Sequence, residues 1–116
     1  MSDQVPETQF LDVYQFVDEL IAPLYGVTEA RINEVRWAKT WWAHADVVLR
    51  LDSLWRRYEQ LRISEPATFL ETFLRSHADY HMRYLMRDDG VMADCRRQDM
   101  PTLPLPVDPI PEGGEE

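Results

Sequence analysis

His77 and His81 stand four residues apart, a spacing that sets two imidazoles on one face of a helix. A pair of this kind, with a third ring brought up from elsewhere, is what a tetrahedral zinc ion takes. The third histidine of the chain, His44, lies on the apolar stripe of a neighbouring expected helix. Asp46, Asp79 or Cys95 would complete the tetrahedron. His44, His77 and His81 are therefore the candidate metal ligands, with zinc as the metal. The HExxH context that gives a metalloprotease its catalytic glutamate is absent. The competing reading is three core histidines, hydrogen-bonded or stacked against Trp and Tyr rings.

Other residues offer less chemistry. Cys95, beside Arg96 and Arg97, is a candidate nucleophile, since nearby cations favour a thiolate, but no base partner is evident. Asp46 precedes Arg50 by four residues and Asp52 precedes Arg56 by four, the spacing of helix-surface ion pairs. The four tryptophans have the face to stack on bases or a ligand, but their spacing fits core packing. The chain has no glycine-rich phosphate loop, no GxSxG and no CxxC. No catalytic or cofactor-binding residue is assigned.

The elements that must position these groups read as helices. Phe10, Val13, Tyr14, Val17, Leu20, Ile21 and Leu24 recur at threes and fours, which predicts a first helix over about 7–22, stopped or kinked by Pro23. Trp37, Trp41, His44, Val48, Leu51, Trp55 and Tyr58 form a second seam, flanked by Trp42, Ala45, Leu49, Leu54 and Leu61. It predicts a long central helix, capped at Thr28 or Asn33 and ending near Arg62. Ser64-Glu65-Pro66 opens a third helix with Phe69, Leu70, Phe73, Leu74, His77, His81, Tyr84 and Leu85 inward, and Gly90 as its left-handed C′ residue. Residues 91–100 are expected to add one short turn or helix.

From Pro101 the chain reads PTLPLPVDPIPEGGEE, with five prolines and no base. Such a segment buries too little apolar area to offset its ordering entropy, so a flexible acidic tail is expected, with Pro101-Thr102-Leu103-Pro104 a PxxP spacing. The expected organisation is a helical domain over 1–100 and a tail over 101–116. The fold class is all-α: a small bundle of three main helices around a Trp-rich central helix.

Composition narrows the function classes. No stretch approaches the roughly 18 apolar residues of a membrane span, and the first residues lack the pattern of a signal peptide. One cysteine allows no intrachain disulfide, which fits a reducing, cytoplasmic compartment. The net charge of −9 argues against non-specific duplex binding. Charge is uneven: residues 36–62 carry six bases against three acids, whereas residues 1–35 carry seven acids against Arg31 alone. Eleven arginines to one lysine suggest a GC-rich genome.

The run Trp41-Trp42-Ala43-His44-Ala45-Asp46, followed by Arg50-Leu51, Leu54-Trp55 and Tyr58-Glu59, resembles the domain-of-unknown-function family DUF4913 of actinobacteria and their phages and mobile elements. Trp37, His77-Ala78-Asp79, Gly90 and Cys95 extend the resemblance over most of the folded part. Gly90-Val91-Met92 stands where that pattern has Gly-Pro-Phe, and no histidine follows Cys95. The resemblance implies origin and fold boundaries and brings no activity with it.

The leading expectation is a non-enzymatic protein-interaction protein from an actinobacterial phage or mobile element, binding a protein partner through its aromatic or Arg-bearing surface or its tail. One alternative is a metal-binding helical protein using the three histidines. The other is a nucleic-acid-associated or DNA-mimic protein, with the arginines of the second helix on phosphates or the acidic surface standing in for DNA.

Overall fold

Asp12 starts the first helix. Its backbone is extended, at φ −160° and ψ −179°, and its carboxylate accepts the Gln15 N–H at 2.9 Å. Gln15 Oε1 in turn accepts the Leu11 N–H at 2.6 Å, so the cap satisfies one donor of the helix start and holds the residue before it. In the computed structural model, which describes residues 7–95, 105–106 and 108–109 with the side chains of 32 and 33 excepted, this helix is the first of three.

Helix α1 comprises Val13–Phe16, a π-helical turn over Val17–Ile21, and Ala22–Leu24. Helix α2 is Ala45–Ser64. Helix α3 comprises Phe69–Phe73, a second π-turn over Leu74–Ala78, and Asp79–Leu85. Short 3-10 turns cover Glu29–Glu34 and Trp41–Ala43. The described residues contain no strand, and no helix among them is long and apolar enough to cross a membrane. The all-α class and the three-helix arrangement hold.

The boundaries differ from the periodicity in three places. Helix α1 begins at Val13, not near Glu7, and it passes through Pro23. The π-turn explains the passage: the Ala22 N–H reaches back five residues to the Val17 carbonyl. The wide turn accommodates Pro23, which has no N–H to give to the helix ladder.

The central helix begins at Ala45, neither at Thr28 nor at Asn33. His44 is its N-cap residue, with extended φ −109° and ψ 114°. Tertiary packing overrides local periodicity over 35–43. Ala38 is fully buried and its N–H points at Met92 Sδ, 3.3 Å away, so this stretch lies across the bundle against the chain beyond α3. Trp37 and Trp41 thus precede α2. The buried stripe of α2 is Val47, Leu51, Leu54, Tyr58 and Leu61.

Helix α3 begins at Phe69 and ends at Leu85, short of Gly90. Its π-turn inserts one residue into the turn after Phe73, so Ala78, Met82 and Leu85 face the core in place of His77, His81 and Tyr84. Gly90 sits in a turn closed by its N–H on the Arg87 carbonyl at 3.1 Å and does not take the left-handed C′ role. Residues 91–95 form turns, with Ala93 and Cys95 donating to the Gly90 and Met92 carbonyls. The expected tail over 101–116 lies outside the described residues, apart from 105–106 and 108–109, which are exposed.

The core is aromatic at its centre. Tyr58 packs on Phe10, Phe16, Phe69 and Phe73 with ring centroids 5.1–5.6 Å apart, the two nearer α3 partners edge-on. Phe16 and Phe73 are wholly buried. Burial of each such ring contributes about 2–3 kcal/mol.

Candidate functional site

The candidate histidines part company. His44 is 1% exposed, within the core layer where α2 begins. His77 and His81 are half-buried on the outer side of α3 and share one face, as their spacing requires. Each meets a guanidinium of α2: Arg57 Nε lies 3.3 Å from His77 Nε2, and Arg50 Nη1 lies 3.4 Å from His81 Nδ1. Arg50 and Arg57 are two helical turns apart and the histidines one, so antiparallel α2 and α3 present a row of cation and imidazole pairs. Among the described residues, no group of three or more His, Cys, Asp or Glu side chains is arranged to hold a metal ion.

The row continues past His81. Arg50 also pairs with Asp46 at 2.9 Å, the i,i+4 contact the spacing predicts, and Asp52 holds Arg56 likewise at 2.8 Å. The Arg50 guanidinium lies 3.7 Å from the Tyr84 ring centroid, and that of Arg87 lies 3.8 Å from the same ring. Two cations that close to one centroid occupy opposite faces, so Tyr84 is sandwiched between them. The electrostatics follow. Burial lowers the His77 pKa and Arg57 lowers it further. Burial, Arg50 and His77 lower that of His81, with Asp46 opposing. Both rings are poised to stay neutral at physiological pH.

Other residues singled out by type are built into the fold. The Glu59 carboxylate, 7% exposed, accepts the backbone N–H groups of Gln9 and Phe10, both at 2.9 Å, and pairs with Arg62 at 3.1 Å. Tyr58 donates its hydroxyl to Gln9 Oε1 at 2.8 Å. Asp79 accepts the Tyr25 hydroxyl at 2.6 Å and ties the end of α1 to α3. Cys95 is 3% exposed, which denies a substrate the thiol. Of the tryptophans, Trp41 is buried and stacks with Tyr14 at 5.4 Å, whereas Trp42 is 53% exposed.

A second feature was not read from the sequence. Where α1 ends, the 35–37 stretch and the end of α3 enclose an almost wholly apolar hole of about 150 Å³, with Ile21, Ala22, Tyr25, Trp37 and Met82 in its wall. Gly26, Val27, Val35 and Met86 are common to this hole and to a wider groove of about 720 Å³. Arg31, Glu34 and Arg36 rim the groove. Arg31 pairs with Glu34 at 3.2 Å and Arg36 with Asp88 at 3.0 Å, so the rim is polar and nearly charge-balanced. The hole joins residues more than 50 positions apart, and only the isolated Gly26 hinted at a turn there.

A family model described as Domain of unknown function (DUF4913) matches residues 10–111. The chain belongs to the DUF4913 family. The DUF4913 match starts at Phe10, the residue whose N–H Glu59 holds, and runs beyond Met100 into the proline-rich segment. No curated protein and no solved structure matches the chain.

Proposed function

We propose that this DUF4913 chain is a non-enzymatic protein-interaction protein whose groove at the α1–α3 end receives an extended segment of a partner. The observation that carries this reading is the apolar hole of about 150 Å³ opening into the polar-rimmed groove. An apolar cavity of that size holds a benzene-sized group, so it suits one large aliphatic or aromatic side chain. Interfaces draw most of their affinity from a few such anchors seated in pockets, and a polar rim satisfies the backbone of the segment beside them. The nearby exposed apolar side chains Leu24 and Val27 would add contact area.

A photo-crosslinking residue placed at Val27 tests the reading, compared in otherwise wild-type protein and in the Ala22→Trp variant, which fills the hole from its exposed edge. The expected result is a crosslinked polypeptide in the first and its loss in the second, with unchanged melting temperature. The same crosslinked set in both proteins would remove the hole from the function.

A further inference from the structure

Arg57 differs from its neighbours in the company it keeps. Seven other arginines among the described residues each pair with an Asp or Glu carboxylate at 2.8–3.2 Å. Arg57 is exposed and has His77 Nε2 and the Gln60 amide oxygen as its hydrogen-bond partners, neither of them an anion. Arg50 also meets an imidazole, that of His81, but Asp46 balances its charge, whereas these two partners of Arg57 are both neutral.

The π-turn over Leu74–Ala78 creates the arrangement. It turns Ala78 into the core and His77 out to Arg57, where an uninterrupted α-helix would carry residue 77 inward behind Phe73. Such insertions weaken local helix geometry and recur at functional sites. Beside the pair, Gln60 of α2 accepts from Arg57, and His81 is the next titratable group along α3; the partner of His81 is Arg50, and Tyr84 and Arg87 lie farther along the row. Asp46 is engaged by Arg50, about 10 Å along α2 from Arg57 by helical rise.

We propose that Arg57 and His77 form a binding site for a tetrahedral dianion, a phosphate or sulfate group carried on a small ligand. Arg57 keeps N–H donors beyond those given to His77 and Gln60, since its fork carries five. Protonation puts a hydrogen on His77 Nε2 and ends its acceptance from Arg57, so both side chains turn N–H groups to the dianion and their two charges together match it. Binding then takes up a proton at His77, because the anion reverses the balance that keeps this ring neutral in the unliganded protein. Affinity rises as pH falls, by at most tenfold per pH unit.

Sulfate is the probe, since it stays dianionic across the titration range of histidine. Imidazole nitrogen NMR of the full chain is followed against pH with and without sulfate, ionic strength being held constant with chloride. The expected result is a rise of about half a pH unit or more in the His77 midpoint at roughly millimolar sulfate, with a smaller change at His81. Arg57→Gln abolishes it. Arg75→Gln, which removes an exposed arginine paired with Glu71 on the neighbouring turn of α3, leaves it intact. No sulfate-dependent change at His77, the same change in Arg57→Gln, or an equal loss in Arg75→Gln would overturn the site; the last would show a diffuse field in its place.

Discussion

The Glu59 carboxylate accepts the Phe10 N–H at 2.9 Å across 49 residues of sequence, and this contact fastens the chain entering α1 onto α2. The same carboxylate holds the Gln9 N–H and the Arg62 guanidinium, so three donors converge on a side chain that is 7% exposed. Truncation in Glu59→Ala leaves one buried and one part-buried backbone donor and one arginine without their acceptor. The expected loss is about 3 kcal/mol. Urea denaturation measures it, and hydrogen exchange at Gln9 and Phe10 should rise well above that within α1.

The π-turn of α3 makes an inverted prediction about neighbours. Ala78 is fully buried, whereas His77 is half-buried beside Arg57. Ala78→Leu should overpack the core at a cost of about 1–3 kcal/mol. His77→Leu should change stability by no more than about 0.5 kcal/mol. A regular helix through 74–78 would reverse that order, so the two melting temperatures decide between the geometries.

What the sequence made legible follows from the range of the forces involved. Helix-surface pairs such as Asp46–Arg50 and Asp52–Arg56 depend on spacing along one helix, and both form as read. The buried face of α1 at Val13, Val17 and Ile21, and the use of Leu51 and Tyr58 in α2, also followed from period alone. The start of α2 did not. Trp37, Trp41 and His44 keep a helical interval, yet what places them is packing of 35–43 against Met92, a contact across 54 residues. The π-turns were hidden because a one-residue insertion leaves no composition signal and merely shifts every later inward position. That shift is why His77 and His81 look like core residues in the sequence and meet arginines in the fold. The seven-residue interval of Arg50 and Arg57 beside the four-residue interval of the histidines was the available hint of their pairing. The groove had none, because its walls come from chain segments that only the fold brings together.

Gly90 sits where the chain doubles back after α3. A Cβ there would lie 3.2 Å from the Leu85 carbonyl oxygen and 3.2 Å from Arg87 Cγ. The arginine stem can give way, but the carbonyl belongs to the end of a helix and cannot move freely. Gly90→Ala should therefore cost about 1 kcal/mol, although alanine usually stabilises where a glycine's backbone suits it. Thermal unfolding measures the sign, and a stabilised variant would show that the turn relaxes.

Tyr25 gives the protein an alkaline limit. Burial is the main cause that lifts its phenol well above the ordinary value of 10.0, followed by the hydrogen bond and the negative charge of Asp79, with Arg83 opposing. The folded state thus binds the phenolic proton more tightly than the unfolded chain. The stability this contributes is fully present below the unfolded value, near pH 10, and is lost as pH rises toward the folded one. Tyr25→Phe removes the titrating group together with its bond to Asp79 at 2.6 Å. At neutral pH the variant should be less stable by about 1 kcal/mol, the net value of one hydrogen bond. Above pH 10 the gap between the two proteins should narrow, since only the wild type loses this contribution. Urea midpoints for both proteins on either side of pH 10 measure that gap, and a constant difference would mean that Tyr25 ionises no later in the folded state than in the unfolded chain.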